Sequence, residues 1–316
     1  MHALGRLIAL ACAVGAAMTA TGCAGPSEPA ATARTDVTVA PQRATPPVPD
    51  PVTLSLPLDA YRPSKAELAQ IDKALDLVTD QCMRRYGFQY TPAPPLPAYG
   101  PASDTDLRYG IHDAGLAAAR GYRPAGDEAA SSAAREAADR TQAAMSEAER
   151  TVLVGPGGGG PRPAAAPTAT VGGRQVPERG CFGEATARVT GGASPVSDFV
   201  QDVGHTGYAK AQEDPQVVAV FGAWSRCMKE KGFGYAKPMD APNDPRFSSP
   251  QPTPAETATA IADVECRTRT NVIGVWYATE VAFQKALIER NALSLTAAKQ
   301  AKEEATRHAA EVLAAS

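Results

Sequence analysis

The sequence lacks the motifs by which many enzymes and metal sites are recognised. Its four histidines are scattered, none stands in the His-Glu-x-x-His spacing of a zinc site, and no nucleophile elbow suggests a serine hydrolase. The most site-like of them, His205, is interpreted as a surface or helix-lining residue. The glycine run that begins at Gly155 lacks the Lys-Ser/Thr pair that completes a phosphate-binding loop. The sequence therefore singles out no catalytic residue, no metal ligand and no cofactor-binding residue.

A strong net charge is also absent. The chain carries 31 lysine and arginine residues against 34 aspartate and glutamate residues, which gives a formal net charge of −3. Such a balance does not direct a protein to nucleic acid or to an anionic lipid surface, so we expect no nucleic-acid partner. Aromatic residues make up only 6% of the sequence, whereas 27 glycines and 28 prolines are present. This composition predicts that much of the length is linker.

Long apolar runs are missing except near the amino terminus. An uncharged, mostly apolar stretch follows Arg6 over residues 7–20. It is shorter than the roughly 20 residues that a membrane-spanning helix needs, and it matches the core of a signal peptide. Ala20-Thr21-Gly22 then precedes Cys23 in the pattern of a bacterial lipobox, although Leu is usual at the position of Ala20. We predict a signal peptide over residues 1–22 and a palmitate-bearing lipid on Cys23, with plain secretory cleavage as the alternative.

The segment that follows the lipobox is rich in proline, alanine and threonine. Over residues 23–62 it has too few apolar side chains to build a core, and its prolines favour extended backbone. We predict that this segment is a disordered, lipid-anchored tether that lifts the folded part of the chain away from the membrane.

Four cysteines remain when Cys12 leaves with the signal peptide and Cys23 carries the lipid. An even number in an exported chain predicts two disulfides. No pair has the spacing of two to four residues that is typical of a zinc site. The four disulfide candidates are Cys82, Cys181, Cys227 and Cys266.

Two of these cysteines begin the same short pattern. Residues 82–90 and 227–235 both have the form Cys-Met-x-x-x-Gly-Phe-x-Tyr, which predicts an internal duplication. The predicted halves cover residues 63–192, with a long insertion, and residues 193–316. Symmetry between them favours the pairs Cys82–Cys181 and Cys227–Cys266, although four cysteines allow three connectivities.

Helix signals dominate the folded part. Ser64 and Glu67 form a capping box before an apolar stripe, Asp214-Pro215 begins a second helix, and Thr253 to Glu256 resembles another capping box. From there one long helix is predicted to run to Asn291. No stretch alternates with the period of two that is typical of strands. The predicted fold is mainly α: two duplicated, disulfide-linked helical halves with long Pro/Gly-rich loops, preceded by a disordered tether.

Two interior segments are predicted to be irregular. The Ala-rich stretch over residues 127–144 is interpreted as a weak helix or disordered chain, and residues 155–177 as a flexible loop. The aromatic residues that follow the two cysteine helices could line a groove, but packing back onto those helices is the preferred interpretation. They are Phe88, Tyr90, Phe233 and Tyr235.

Several of these features together resemble a known group of proteins. The lipobox, the Pro-rich segment, Trp224-Ser225-Arg226-Cys227-Met228 with Gly232-Phe233, and Cys266 before a long Trp-bearing helix are similar to lipoproteins of high-GC actinobacteria. That group has no established activity. The resemblance therefore implies a location and a style of fold, and nothing about a substrate.

Two function classes follow from these observations. The preferred one is a non-catalytic envelope binding or scaffold module, anchored through Cys23 on the extracytoplasmic face of the cell membrane, whose partner is an envelope protein or a cell-wall polymer. The alternative is an extracellular hydrolase of cell-wall material, with acidic residues that come together only in the fold. No cofactor is expected in either case.

Overall fold

Most of the described chain is helical. The computed structural model describes residues 32–41, 47, 50–156 and 168–316, so the predicted signal peptide and Cys23 lie outside the described residues. The prediction of a mainly α fold is confirmed within these ranges. The α-helices are α1 (Lys65–Arg85), α2 (Ala114–Arg120), α3 (Glu128–Ala144), α4 (Glu147–Val154), α5 (Gly180–Thr190), α6 (Asp198–Glu213), α7 (Pro215–Glu230), α8 (Pro254–Thr270), α9 (Val272–Arg290) and α10 (Ala292–Ala314).

The structure decides between the two interpretations of the Ala-rich stretch and corrects one loop prediction. The Ala-rich stretch forms a helix, α3, which begins at an Asp127 side-chain cap. Part of the segment predicted as a loop forms a two-stranded antiparallel hairpin, β1 (Thr170–Val171) with β2 (Arg174–Gln175). A Gly-Gly pair joins the two strands and forms a typical two-residue hairpin turn. The helical pattern of the surrounding sequence gave no indication of these strands.

The single long helix predicted to reach Asn291 is instead two helices, α8 and α9. Asn271 separates them with a left-handed backbone, φ 54° and ψ 37°. Asparagine is one of the few non-glycine residues that tolerate this conformation, and it commonly ends helices in this way. Trp276 on α9, beyond the break, is fully buried in the core.

Both disulfides are present in the favoured pairing. Cys82–Cys181 joins α1 to α5, and Cys227–Cys266 joins α7 to α8. All four cysteines are buried. Each bridge therefore ties two helices together inside the core.

The repeated sequence pattern corresponds to a repeated helix end. The amide of Phe88 donates to the Met83 carbonyl at 3.2 Å, and the amide of Phe233 donates to the Met228 carbonyl at 2.9 Å. In both turns the intervening glycine has a positive φ, 82° and 91°. This is the Schellman arrangement that closes helices. Beyond the turn, α1 packs on α5 and α10 whereas α7 packs on α8 and α9, so a duplication of whole halves stays a prediction.

Helices from the two predicted halves share the same core. Helix α10 packs on α1 and α5, and α2 packs on α8. One cluster of buried side chains, named the tryptophan cluster below, contains Trp224, Trp276 and the Cys227–Cys266 disulfide. A second lies between α1, α5 and α10. Contacts therefore cross the predicted border at residues 192 and 193.

Part of the predicted tether lies on the helical core. In residues 32–41, named the strap below, Val37 and Val39 pack against the tryptophan cluster. Residues 50–62 include two 3-10 helices, Pro51–Thr53 and Pro57–Tyr61, and Leu58 in the second is 3% exposed. The prediction of disorder is corrected for these residues. Their apolar side chains are too few to fold alone, yet they can cover a core that the helices have already formed.

Asn291 fastens the strap. Its Oδ1 accepts from the backbone amide of Arg34 at 2.8 Å, and its Nδ2 donates to the Arg34 carbonyl at 3.0 Å. We expect Asn291→Ala to lower the free energy of unfolding by about 1–3 kcal/mol, because buried polar groups lose their partners. Hydrogen exchange at residues 33–39 should accelerate.

The matched control is Asn243→Ala, since Asn243 is exposed and bonds only within its own loop, to the Met239 carbonyl. That variant should change the free energy of unfolding by less than about 0.5 kcal/mol. Unchanged exchange at the strap in Asn291→Ala would contradict the assigned role.

Candidate functional site

One face of α8 buries three charged side chains. Glu256, Asp263 and Arg267 are separated by seven and four residues, which places them on the same side of the helix. Each residue is at most 2% exposed. Charged side chains are almost never fully buried unless they are paired. Each of these three side chains therefore needs a partner inside the fold.

Asp263 and Arg267 form a buried ion pair that links α8 to its neighbours. Asp263 Oδ1 accepts from Arg267 Nε and from the Trp224 indole, both at 2.7 Å. Its Oδ2 accepts from the Tyr122 hydroxyl at 3.2 Å. Burial, reinforced by the charge of Asp263, raises the pKa of Tyr122, so this phenol remains a donor. Arg267 also donates to the carbonyl of Tyr109, which ties the loop before α2 to the same pair.

Glu256 holds the loop that follows α2. Its Oε1 accepts from the backbone amide of Tyr122 at 3.2 Å and from the guanidinium of Arg123. Arg123 donates in addition to the carbonyl of Ser249. Gly121 has a φ of 61°, and a Cβ at this position would lie 2.6 Å from the Glu256 carboxylate, so only glycine allows the loop to approach so closely.

The second oxygen of this carboxylate has no partner. Glu256 Oε2 is buried and makes no hydrogen bond to any described protein atom. A buried acceptor without a donor costs about 1–3 kcal/mol. The carboxylate is therefore held firmly by one oxygen and remains unsatisfied at the other.

A cavity of about 290 Å³ opens beside Glu256. It is named the Glu256 cavity below. Its wall combines aromatic rings, prolines, two serines and three charged side chains. They are Tyr99, Tyr122, Phe247, Pro124, Pro242, Pro250, Ser248, Ser249, Arg123, Glu128 and Glu256. The rings of Tyr122 and Phe247 stack with centroids 5.9 Å apart, which fixes an apolar side of the cavity.

Acidic side chains outnumber basic ones on this wall, with Glu128 and Glu256 against Arg123. Arg123 is already engaged by Glu256 and by Ser249. Burial, with a further contribution from the charge of Glu128, raises the pKa of Tyr99. The wall thus combines carboxylate oxygens, which accept, with serine hydroxyls, which can donate or accept.

A larger cavity, of about 340 Å³, lies near Arg62 and Lys302. Its charges are matched internally, because Arg62 pairs with Asp59 and Asp104 while Lys302 pairs with Glu67. Nothing on its wall is both buried and unpaired among the described atoms. We therefore assign the candidate site to the Glu256 cavity.

His205 lines a third cavity, together with Arg108 and Gln284. Its volume of about 80 Å³ leaves room for only a few water molecules. Arg108 is already paired with the buried carboxylate of Glu280, which also accepts from the Tyr109 hydroxyl at 2.8 Å. His205 thus lies on a helix that borders a small, charge-matched cavity, as the interpretation of a helix-lining residue expects.

A histidine–acid pair does occur, at His112 and Asp106. The two side chains meet at 2.7 Å between Nε2 and Oδ1. A hydrolytic triad needs a hydroxyl or thiol bonded to the histidine. Within the described residues none is bonded to His112, and the nearby hydroxyls of Ser103 and Thr105 bond to each other.

The aromatic residues of the repeated turns do not meet in one groove. Phe88 and Tyr90 pack with the Cys82–Cys181 disulfide, whereas Phe233 and Tyr235 pack with the tryptophan cluster. This confirms the preferred interpretation that each pair packs back on its own helix. Trp224 and Trp276 are core residues.

Neither a membrane-spanning helix nor a metal-binding cluster occurs within residues 32–41, 47, 50–156 and 168–316. None of the helices in these ranges combines the length and hydrophobicity that a bilayer-spanning segment requires. The same ranges hold no group of three or more His, Cys, Asp or Glu side chains placed to share a metal ion. Comparison of the chain with protein-family models, with curated proteins and with solved structures found no match.

The sequence predicted a different role for Glu256, that of a capping-box residue at the start of α8. In a complete capping box its carboxylate would return to the amide of Thr253. Only half of the box forms: the Glu256 amide donates to Thr253 Oγ1 at 3.1 Å, while the carboxylate turns to Arg123. No local pattern could reveal this, because the competing partner is 133 residues away.

Proposed function

We propose that the protein is a lipid-anchored, extracytoplasmic binding module that takes part of an envelope partner into the Glu256 cavity. The Glu256 cavity itself carries this proposal, because its wall places carboxylates and serines beside aromatic rings and prolines. Small-ligand sites are concave and use a few polar groups to fix the orientation of the ligand. Here those groups are the Glu256 and Glu128 carboxylates and the two serines.

The proposed location rests on the lipobox at Cys23 and agrees with the two disulfides, since disulfides persist in oxidising compartments. Arg34, where the strap is fastened to Asn291, lies only eleven positions after Cys23. Eleven residues span at most about 40 Å. The proposed anchor thus keeps the strap within about 40 Å of the membrane, far less than a free 40-residue tether would allow.

A hydrolase of cell-wall material is the second candidate, because two carboxylates, Glu128 and Glu256, line one cavity. A glycosidase of the usual type needs one carboxylic acid that gives a proton to the leaving group. Glu256 Oε1 is instead occupied by donors of the chain itself, the Arg123 guanidinium and the Tyr122 amide. This geometry favours binding over hydrolysis.

In-cell photo-crosslinking tests the proposal. A photoreactive residue at Ser248, which is exposed and lines the cavity, is expected to capture an envelope component in the membrane fraction. The same residue at Val218, 54% exposed on α7, is the control for random contact. The Cys23→Ala form should lose radioactive palmitate and leave the membrane fraction.

Equal capture from positions 248 and 218 would contradict a binding role for the cavity. Palmitate on the Cys23→Ala form would contradict the anchor alone. Release of soluble fragments from purified cell walls, abolished by Glu256→Gln, would favour the hydrolase.

A further inference from the structure

We infer that the outward face at the start of α10 rests on the membrane that holds the lipid anchor, with Leu293 inserted between lipid head groups and acyl chains. The inference rests on one part of the proposed function, the lipid on Cys23, and is independent of the Glu256 cavity. It is carried by the exposure of Leu293, by the lack of charge on the surrounding helix face and by the nearby fastening of the strap.

Leu293 is the most exposed of the large apolar side chains in the described part of the chain, at 90%. The next most exposed is Val218, at 54%. Single exposed apolar residues are common on protein surfaces, so exposure alone does not identify a site. Leu293 differs from the others in the surface around it and in its distance from the anchored segment.

The helix face around Leu293 carries no charge. Leu295, Ala305 and Ala309 of α10 are buried, whereas the face named the Leu293 face below is exposed. Its members lie three or four positions apart and extend over about 12 Å of the helix. They are Leu293, Thr296, Ala297, Gln300 and Ala301. Because a bilayer surface excludes water from whatever it covers, an uncharged face is the part of α10 that can lie against it.

The anchored segment joins the fold beside this face. Asn291 holds Arg34 of the strap through two hydrogen bonds. Leu293 lies two positions after Asn291, at most about 7 Å along the chain, and the lipid on Cys23 lies at most about 40 Å from Arg34. So short a linker gives an effective concentration in the millimolar range. A contact too weak for a free protein is therefore populated in the anchored one.

The charges next to this corner cancel. Arg34 and Arg290 are exposed there, but so are Asp36 and Glu289. Clusters of several basic residues are needed to draw a protein to anionic lipids, and this corner has no excess of them. The contact is therefore apolar, with Leu293 at the boundary of the head groups, as in interfacial helices. It should not depend on the charge of the lipids.

Lipid crosslinking on vesicles tests this inference with the mature chain, residues 23–316. Cys23 is coupled through its thiol to a maleimide lipid, since the other four cysteines of this chain are held in disulfides. A diazirine-bearing residue replaces Leu293 or, in the control, Val218. On phosphatidylcholine vesicles, position 293 should give at least about 10-fold more lipid adduct, the ratio that corresponds to burial of one leucine-sized side chain. Addition of phosphatidylglycerol should leave this ratio unchanged.

A pair of variants assigns the contact to Leu293 itself. The diazirine is then placed at Ala297, on the same face, and Leu293→Asn should lower the lipid adduct about 10-fold. Val218→Asn makes a similar change on α7 and should leave the adduct from position 297 unchanged. Both side chains are exposed, so both variants should unfold at the temperature of the unchanged chain.

Equal lipid adducts from positions 293 and 218 would overturn the inference. Adducts between two protein chains in place of lipid adducts would also overturn it, because they would assign the Leu293 face to a second copy of the chain. Neither result bears on the Glu256 cavity, which is tested by capture from position 248. Absence of palmitate from the unchanged chain in cells would contradict the proposed anchor, whereas the vesicle measurement, which uses a chemical anchor, would still decide whether the face binds lipid.

Discussion

Replacing Arg267 with methionine is expected to lower the free energy of unfolding by about 3–5 kcal/mol. Arg267 and Asp263 have side chains that are 1% and 0% exposed, and their atoms meet at 2.7 Å. Methionine fills similar space but leaves the Asp263 carboxylate buried without its counter-charge. Urea unfolding followed by circular dichroism under non-reducing conditions measures the loss.

The chain supplies a matched control two residues further along α8. Arg269 pairs with Glu230 at the same 2.7 Å, but the two side chains are 53% and 63% exposed. Arg269→Met should cost less than about 1 kcal/mol, since water screens an exposed pair. The double variant Asp263→Leu/Arg267→Met should be more stable than Arg267→Met alone, because it leaves no unpaired charge. Equal losses in Arg267→Met and Arg269→Met would contradict this account.

Removal of either disulfide is expected to have an effect of similar size. Cys82–Cys181 closes a separation of 99 residues and Cys227–Cys266 one of 39. The chain-entropy relation assigns these bridges about 4.7 and about 3.9 kcal/mol. Paired Cys→Ala variants should therefore lose about 4–5 kcal/mol of unfolding free energy each, with the longer loop costing slightly more.

Cys23→Ala serves as the reference for the disulfide variants, because Cys23 belongs to neither bridge. It should unfold at the same denaturant concentration as the unchanged chain. A chain that keeps its full stability after reduction of both bridges would show that the helices alone hold the fold.

Some of the fold could be predicted because its signals are local. The capping box of Ser64 and Glu67 forms as expected and begins α1. Asp214 caps α7 with proline at the first helical position. The repeated pattern favoured the cysteine pairing that the structure contains, although the sequence left three connectivities open. These features depend on residues a few positions apart, or on a pattern that the chain repeats. They can therefore be recognised in the amino-acid sequence.

Other features could not be predicted because distant residues compete with local ones. The strap has the composition of a free linker, yet Val37 and Val39 reach a core formed by helices more than 170 residues away. Asn271 breaks a continuous helical pattern through a backbone conformation that the pattern does not encode. In each case the local conformational preference of the sequence is weak. The free energy of tertiary packing, which exists only in the folded chain, outweighs it.

The sequence by itself predicted a mainly helical fold, the starts of α1, α7 and α8, and a favoured pairing of the cysteines. It also supplied the lipobox at Cys23, from which the proposed location follows. Only the tertiary structure decided where ligand chemistry can occur. Glu256 has the sequence position of a capping-box residue, but its carboxylate turns to Arg123 and to the loop at Gly121, beside a cavity. The physical reason is that a buried charge must be paired, and its partner can come from any part of the sequence that the fold places beside it.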